Sequence, residues 1–557
     1  MREIDRLTTE RYGIASLQLM ENAAIATFRF LIEAFSGQVA GKTVVAFCGK
    51  GNNGGDGAAV ARLLAIAGAR VDVVLTGKLD ETKGDARTNF ERLRSWNEDA
   101  VVREDKEVTS PESINLFECD SEKEWNQILT TLLSVPHDVT IDALFGTGLT
   151  RPLEGIYPDV IKYLISLREA GDIEEHASSL IVSIDIPSGL NADSEQMMGE
   201  TVRADATVTM TAPKRANVLP PAVDYNGKLI IADIGSPSDL IAETTPNLFV
   251  ADAKDAQQWL IQTRYTPDSY KNKHGHALVV AGSRGFTGAA ALCGNAAMRA
   301  GAGLVTVATP ASAQPMVATQ VMPEIMTTAL AETDRGAVSD DAIDFALKFG
   351  ERADVIAIGP GLSAEDGRTR TFVRAMIENR KTPMVIDADG LNCLSPWPAD
   401  LSGSDEFPIV LTPHPGEMQR LLGADNGSTL DDRVAIAREF ATTNKVILVL
   451  KGSRAIIAAP DGQVVVNPTG NAGLGTAGAG DTLTGVITGF LSQAGAAGKA
   501  RPCAFSTVIA AVYVSGLAGD LAAQKLGMRA MVASDIRDHL SEAFRLLDPA
   551  GEIPAGK

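Results

Sequence analysis

Thr43-Val44-Val45-Ala46-Phe47-Cys48-Gly49-Lys50-Gly51-Asn52-Asn53-Gly54-Gly55-Asp56-Gly57 decides the fold class of the first half of the chain. Thr43–Cys48 is apolar without a clean period of two, as expected of a strand buried on both faces of a parallel sheet. A glycine-rich turn follows, and Ala58–Ala67 then has the composition of a crossover helix. Gly49, Gly51 and Gly54 complete a dinucleotide spacing, which by itself also fits a plain strand-to-helix turn. The surplus glycines and the two amides say more. Glycine lets backbone approach a ligand closely, and free amides at a helix start favour an anion such as a diphosphate. Asn52 and Asn53 add side-chain carbonyls, which are hard oxygen ligands for a cation.

The same grammar repeats outward from this stretch. Val71–Leu75, Val139–Leu144, Leu180–Ile186, Ala206–Thr211 and Lys228–Ile234 are short Val/Ile-rich strand candidates separated by helical segments. That alternation predicts a doubly wound α/β domain. The pattern weakens after Gly235, through a segment holding Pro237, Pro246 and Pro267 with one short apolar patch, Leu248–Val250. A boundary is expected here, dividing the chain into domains 1–238 and 239–557. Alternation resumes with His276–Ala281, Leu304–Thr309, Val355–Gly359, Met384–Asp387, Ile409–Thr412, Val446–Leu450 and Val464–Val466. Long Ala/Gly-rich helices are predicted at Thr287–Ala302 and Ala479–Ser492. Val508–Ala523 is interrupted by Ser515, Gly516, Gly519 and Asp520 and reads as a buried helix rather than a membrane span.

Composition narrows the function classes. The 557 residues carry 50 Lys plus Arg against 70 Asp plus Glu, a net charge of -20, which disfavours a nucleic-acid backbone as partner. Backbone amides can still hold a small phosphorylated ligand. The five cysteines lie far apart with no CxxC pair, and the histidines lack metal-ligand spacing, so a reducing cytoplasmic setting is expected. Met1–Asp5 is charged and lacks the apolar segment of a secretory signal.

Two further loops follow strands in the first half: Asp142-Ala143-Leu144-Phe145-Gly146-Thr147-Gly148-Leu149-Thr150-Arg151-Pro152, and Asp185-Ile186-Pro187-Ser188-Gly189-Leu190-Asn191. Ligands of open α/β sheets gather beyond the carboxyl ends of strands, so the three loops can share one pocket. With Ser16–Ala23 (SLQLMENA), these motifs resemble the NAD(P)H-hydrate epimerase family (YjeF N-terminal type) over about Arg2 to Gly235. The resemblance implies a Rossmann-like three-layer domain that interconverts the R and S forms of nicotinamide dinucleotides hydrated at C6. It implies that Asn52, Asn53, Gly54, Gly55, Asp56 and Gly146, Thr147, Gly148, Leu149, Thr150, Arg151, Pro152 contact the hydrate. It also implies that Asn53, Asp142 and Ser188 hold K⁺, and that Asp185 faces the nicotinamide as the catalytic carboxylate.

The second half carries Asn467-Pro468-Thr469-Gly470-Asn471-Ala472-Gly473-Leu474-Gly475-Thr476-Ala477-Gly478-Ala479-Gly480-Asp481-Thr482-Leu483. Free amides at a helix start beside a carboxylate suit phosphoryl transfer, with Asp481 taking the proton of the attacking hydroxyl. Strand-end loops at Gly282–Ala290, Gly359–Leu362, Asp387–Asn392, Thr412–Glu417 and Lys451–Ala455 surround it, and His414 stands between two prolines. Together these motifs resemble the ADP- or ATP-dependent NAD(P)H-hydrate dehydratase family, over about Lys271 to Leu540. That implies a ribokinase-like domain in which Ala289, Gly361, His414 and Asp481 meet the hydrate. Lys451, Gly452, Ser453, Arg454, Ala455 and Gly480 would meet the nucleotide, with ADP as co-substrate and Mg²⁺ as its companion. The joint expectation is a bifunctional isomerase and lyase acting on NADHX and NADPHX, often homo-oligomeric in the family, with no nucleic-acid or membrane partner. The competing reading is a small-molecule kinase of the vitamin-precursor type with an appended nucleotide-sensing domain.

Overall fold

The computed structural model describes residues 1–101, 114–173, 179–244, 247–423, 430–496 and 502–549. It separates into two compact units, Met1–Pro246 and Asn247–Lys557. The division falls beyond the expected 238/239 boundary because the helix Ser238–Thr244 belongs with the first unit. Leu240 of that helix packs with Ile4 and Leu7 of the helix Arg2–Tyr12, Tyr12 donates to Asp239, and Arg11 pairs with Glu243. Leu248–Val250, the apolar patch of the expected linker, is instead a strand of the second unit.

The first unit is built on β1 (Thr43–Cys48), β2 (Arg70–Leu75), β3 (Ile114–Glu118), β4 (Val139–Ala143), β5 (Leu180–Ile184), β6 (Ala206–Met210) and β7 (Lys228–Ala232). They form one parallel sheet in the order β3-β2-β1-β4-β5-β6-β7. Strand β1 shows why its sequence lacks alternation. Val44, Ala46 and Cys48 enter one apolar core, Val45 and Phe47 enter another, and all five are fully buried. Both faces are covered, so both sets are apolar. The strand order reverses between β1 and β4, which opens a crevice at their carboxyl ends. Strand β3 escaped the sequence reading because it lies at the sheet edge, with Asn115 and Glu118 exposed.

The second unit contains β8 (Leu248–Val250), β9 (His276–Val280), β10 (Leu304–Pro310), β11 (Met326–Leu330), β12 (Val355–Ile358), β13 (Met384–Ile386), β14 (Ile409–Leu411), β15 (Ile447–Leu450), β16 (Ile456–Ala458) and β17 (Val464–Val466). Their order is β11-β10-β9-β12-β13-β14-β15-β16-β17-β8, with β16 antiparallel to both neighbours and the other pairings parallel. The reversal between β9 and β12 again places a crevice at strand carboxyl ends. The helix Ala479–Ala496 lies hard against the helix Thr287–Arg299: a Cβ on Gly485 would stand 2.2 Å from the Cys293 carbonyl oxygen. The helix Ala504–Leu526 is long and apolar enough to cross a membrane by length and composition, yet most of its apolar window is buried in this core. Its Thr507 hydroxyl accepts a bond from the Trp259 indole.

Candidate active sites

In the first unit the turn after β1 is tighter than its sequence implied. The helix starts at Asn52 rather than near Ala58, so the Asn-Asn-Gly-Gly-Asp segment forms its opening turns. Several of the glycines answer to crowding. A Cβ on Gly54 would lie 1.7 Å from the Gly49 carbonyl oxygen, and one on Gly49 would lie 2.0 Å from that of Leu144. The β1 and β4 loops therefore pack backbone on backbone, which brings their tips to one cavity of about 500 Å³. That is the size of a small-molecule site.

Asn52, Asn53, Asp56, Gly146, Thr147, Gly148 and Asp185 all line this cavity. Gly146 is the corner where they meet, since a Cβ there would stand 2.9 Å from Asp185 Oδ2 and 3.2 Å from Asn53 Oδ1. Gly54 and Gly55 are buried behind the lining, Asp142 and Ser188 lie beneath it, and Leu149, Thr150 and Arg151 fall outside it. Pro152 instead lines a separate cavity of about 220 Å³.

Asp185 sits in the left-handed region at φ 70°, a conformation that costs a non-glycine residue about 1–3 kcal/mol and recurs at functional sites. Its Oδ1 receives the Lys214 ammonium at 2.5 Å, and its Oδ2 accepts the Thr147 N–H at 3.2 Å. Lys214, almost wholly buried, also donates to Thr209 Oγ1 and to the Met210 carbonyl. Sequence reading missed this lysine, although a charge just past the apolar β6 is the same kind of signal that marked Asp142 and Asp185. It also missed the contribution of the first helix. Arg2 donates to the Thr147 carbonyl at 2.9 Å, and Asp5 reaches the cavity. Burial raises the Asp5 carboxyl above its ordinary range. Asp56 is partly accessible from the cavity, yet burial of its carboxyl, with Asp185 and Asp5 adding repulsion, pushes it well above that range.

Asp142 is fully buried beneath the loops. Its carboxylate accepts bonds from Ser188 Oγ at 2.5 Å, Ser188 N at 2.8 Å and Ser183 Oγ at 2.8 Å. Burial nevertheless raises its carboxyl, because the bonds that oppose the shift come from neutral groups.

The second unit assembles a denser electrostatic centre. Asp387, at the end of β13, takes the Lys451 ammonium at 2.7 Å on Oδ1 and the Thr484 hydroxyl at 2.7 Å on Oδ2. Burial opposes ionisation of Asp387, but Lys451 wins and holds its carboxyl below the usual range. Lys451 also stands 3.6 Å from Glu417 Oε2. Burial opposes its charge as well, and the two carboxylates overcome that to raise its pKa. Gly480 closes the group, since a Cβ there would lie 3.3 Å from Lys451 Nζ. Asp481 follows in the first turn of the helix. Burial, then Asp387, with Asp389 and Glu417 contributing, raises its carboxyl to about 6 against the pull of Lys451.

Gly361 and Ala289 adjoin one another: a Cβ on Gly361 would stand 3.0 Å from that of Ala289. His414 caps the helix Pro415–Leu421, its Nδ1 accepting from Gly416 N at 3.0 Å and Glu417 N at 3.3 Å. Those bonds assign the ring proton to Nε2, which stands 3.6 Å from Glu417 Oε1 on a half-exposed side chain. Arg454, at φ 54°, donates to the Pro468 carbonyl and ties the Lys451–Ala455 turn to the glycine loop.

Comparison with known proteins covers both units. Residues 16–216 match the family model described as YjeF-related protein N-terminus, and residues 277–542 match NAD(P)H-hydrate dehydratase. The bifunctional NAD(P)H-hydrate repair enzyme Nnr of Moorella thermoacetica is 39% identical over 98% of this chain and 96% of its own length. That of Thermofilum pendens is 34% identical over 98% of this chain and 95% of its own. An ADP/ATP-dependent NAD(P)H-hydrate dehydratase from Bacillus subtilis, co-crystallized with ATP/Mg²⁺, is 29% identical at a TM-score of 0.46, over 54% of this chain and all of that one. With two carboxylate-lined crevices at strand ends and full-length relatives of this similarity, the chain belongs to the bifunctional NAD(P)H-hydrate repair enzymes.

Proposed function

We propose that the first unit interconverts the R and S hydrates of NADH and NADPH, and that the second dehydrates the S form at the expense of ADP. The observation that carries this reading is Asp481, a carboxyl raised to about 6 in the first turn of a helix beside Lys451 and Gly480. Such a group is ionised at neutral pH yet basic enough to take a proton, as general-base catalysis requires.

In dehydration the C6 hydroxyl oxygen of the hydrate attacks the terminal phosphoryl group of ADP. Asp481 accepts the hydroxyl proton, and AMP departs. Amides at the start of Ala479–Ala496 and the Lys451 ammonium offset charge on the moving phosphoryl group. Phosphate then leaves C6, pushed by the ring-nitrogen lone pair, and loss of the C5 proton regenerates the dihydronicotinamide. The sum is hydrate plus ADP giving NAD(P)H, AMP and phosphate. His414 Nε2–H is placed to orient the substrate. In epimerisation the protonated hydroxyl leaves C6 as water, giving an iminium-like ring that water re-enters from the other face. Asp185 steadies that cation, and Asp56, whose carboxyl is pushed up, is suited to hold and return the proton.

The donor sets fit the two cations. Asn53, Asp142 and Ser188 offer hard oxygens around a buried carboxylate, and Asn53 Nδ2 is buried without a hydrogen-bond partner. With the amide turned, its carbonyl oxygen occupies that place and suits a monovalent cation. Bound K⁺ would supply positive potential under three cavity carboxylates, Asp5, Asp56 and Asp185. Around Asp481 the carboxylates Asp387, Asp389 and Glu417 outnumber the ammonium of Lys451, and that excess of negative charge would repel an unaccompanied phosphate. Among the described residues no cluster of three or more His, Cys, Asp or Glu side chains forms a metal cage. Both facts suit Mg²⁺ arriving with nucleotide phosphates, held through a carboxylate and water. A cytoplasmic setting fits five free cysteines, three of them buried. Family habit favours ADP over ATP and a homo-oligomer.

The test is incubation of the full chain with S hydrate and ADP. Recovery of reduced-nicotinamide absorbance with equal AMP and phosphate supports the reading. Stable phosphorylation of the hydrate without recovery would mark a simple kinase.

A further inference from the structure

A cavity of about 850 Å³ adjoins the dehydration centre, and the reaction chemistry leaves it without a role. Phe286, Ser363, Asp389 and Asn392 line it together with two arginines, Arg370 and Arg420. Those arginines set it apart in a chain of net charge -20. On the helix Gly367–Glu378, Arg368 pairs with Asp340 and Asp341, and Arg374 pairs with Glu378 and Asp400. Arg370, between them, meets only neutral carbonyls, those of Ala364 at 2.8 Å and Asn392 at 3.4 Å. Arg420 Nε donates to Asn392 Oδ1 at 3.0 Å. Among the described residues neither guanidinium has a carboxylate partner. Asn392 thus meets both through neutral acceptors, and both guanidinium groups, like Glu365, are exposed at the cavity.

The acidic groups of this cavity are otherwise engaged or peripheral. Asp389 accepts from Ser363 N at 2.9 Å and from Asn392 Nδ2 at 3.3 Å, and Glu365 is exposed. The cavity also adjoins the substrate side of the centre, since a Cβ on Gly361 would stand 2.9 Å from the carbonyl oxygen of Phe286 in its lining. Ser363 lies two residues beyond Gly361, Asp389 helps raise Asp481, and Arg420 rides on the helix that His414 caps. The Lys451 turn and Gly480 are not part of its lining; Lys451 is instead engaged by Asp387.

Resting on the proposed dehydration, we infer that Arg370 and Arg420 form the subsite that binds a phosphate group of the dinucleotide hydrate. Two planar guanidinium forks match phosphate oxygens bidentately, which a single ammonium cannot do. The dinucleotide offers such a group in two places, its diphosphate bridge and, in the NADP form, the 2′-phosphate.

The experiment uses the full chain with Arg370→Ala, Arg420→Ala and the double variant, with melting temperatures to verify folding. KM and kcat are measured for NADHX and NADPHX at saturating ADP, and NADPH binding is followed separately by its fluorescence. Each single substitution should raise the hydrate KM and the NADPH Kd about tenfold, the scale of a lost charge-assisted bond, with kcat and the ADP KM unchanged. An equal loss for both hydrates assigns the diphosphate; a loss confined to NADPHX assigns the 2′-phosphate. Unchanged KM and NADPH affinity in the double variant overturn the subsite, as does a rise confined to the ADP KM. Failure of the wild type to turn over hydrate would strike the proposed function alone, since NADPH binding still decides the subsite.

Discussion

Replacing Asp481 by asparagine should cost activity and yield stability, with both effects tracking one titration. The carboxyl is raised from 3.8 to about 6, chiefly by burial and then by Asp387. A shift of about two units corresponds to roughly 3 kcal/mol at 1.36 kcal/mol per unit. The sign follows from proton binding. Between the two values the folded state holds the proton while the unfolded state has released it, so stability falls as pH rises through that window. The cost is absent below the lower value and complete above the upper one. Asp481→Asn removes it, so the variant should melt above the wild type at pH 8, by up to about 3 kcal/mol, and level with it near pH 3.5. Dehydration should fall about 10²–10⁴-fold, the usual contribution of a general base. Wild-type kcat/KM should rise with unit slope to a plateau above about pH 6, reaching about one-tenth of it at pH 5. The assays are scanning fluorimetry and steady-state dehydration across pH. Parallel melting curves for the two proteins, or an acid limb that persists in the variant, would refute the reasoning.

Other perturbations separate the two units. Lys214→Met leaves the Asp185 carboxylate buried without its counter-charge, so the first unit should lose about 3–5 kcal/mol along with epimerisation. Adding Asp185→Asn should restore much of the stability in a double-mutant cycle, while dehydration of S hydrate proceeds normally throughout. Gly485→Ala, which would stabilise an exposed helix, should here cost about 1–3 kcal/mol because its Cβ meets the Cys293 carbonyl at 2.2 Å; thermal unfolding of the second unit reads it. Epimerisation and the melting point of the first unit should both rise saturably with K⁺ over a bulky organic cation, and Asn53→Ala should flatten both responses.

Much of the architecture was legible because parallel strands buried on two faces must be apolar throughout, as Val44 to Cys48 are. The loops at their carboxyl ends carry glycine and acid where backbone crowds or ligands approach. Legibility ended where a residue's meaning depends on a distant partner. Lys214 acquires its role only by meeting Asp185, and Arg370 differs from Arg368 only in what lies opposite. Edge strands and very short strands were also hidden. β3 is half exposed, β8 and β16 span only three residues each, and an apolar triplet beside Pro246 carries no sign of its pairing with β17. Met1–Asp5 read only as a charged stretch without a secretory signal, yet Arg2 and Asp5 help wall the cavity.

The coupling of two chemistries in one chain is tested most directly on racemic hydrate with excess ADP, comparing wild type with Asp185→Asn before spontaneous epimerisation intervenes. The wild type should regenerate all of the reduced nucleotide with one AMP per turnover, and the variant should stop near half. A wild type that also stops at half, or a variant that runs to completion at the wild-type rate, would contradict the account.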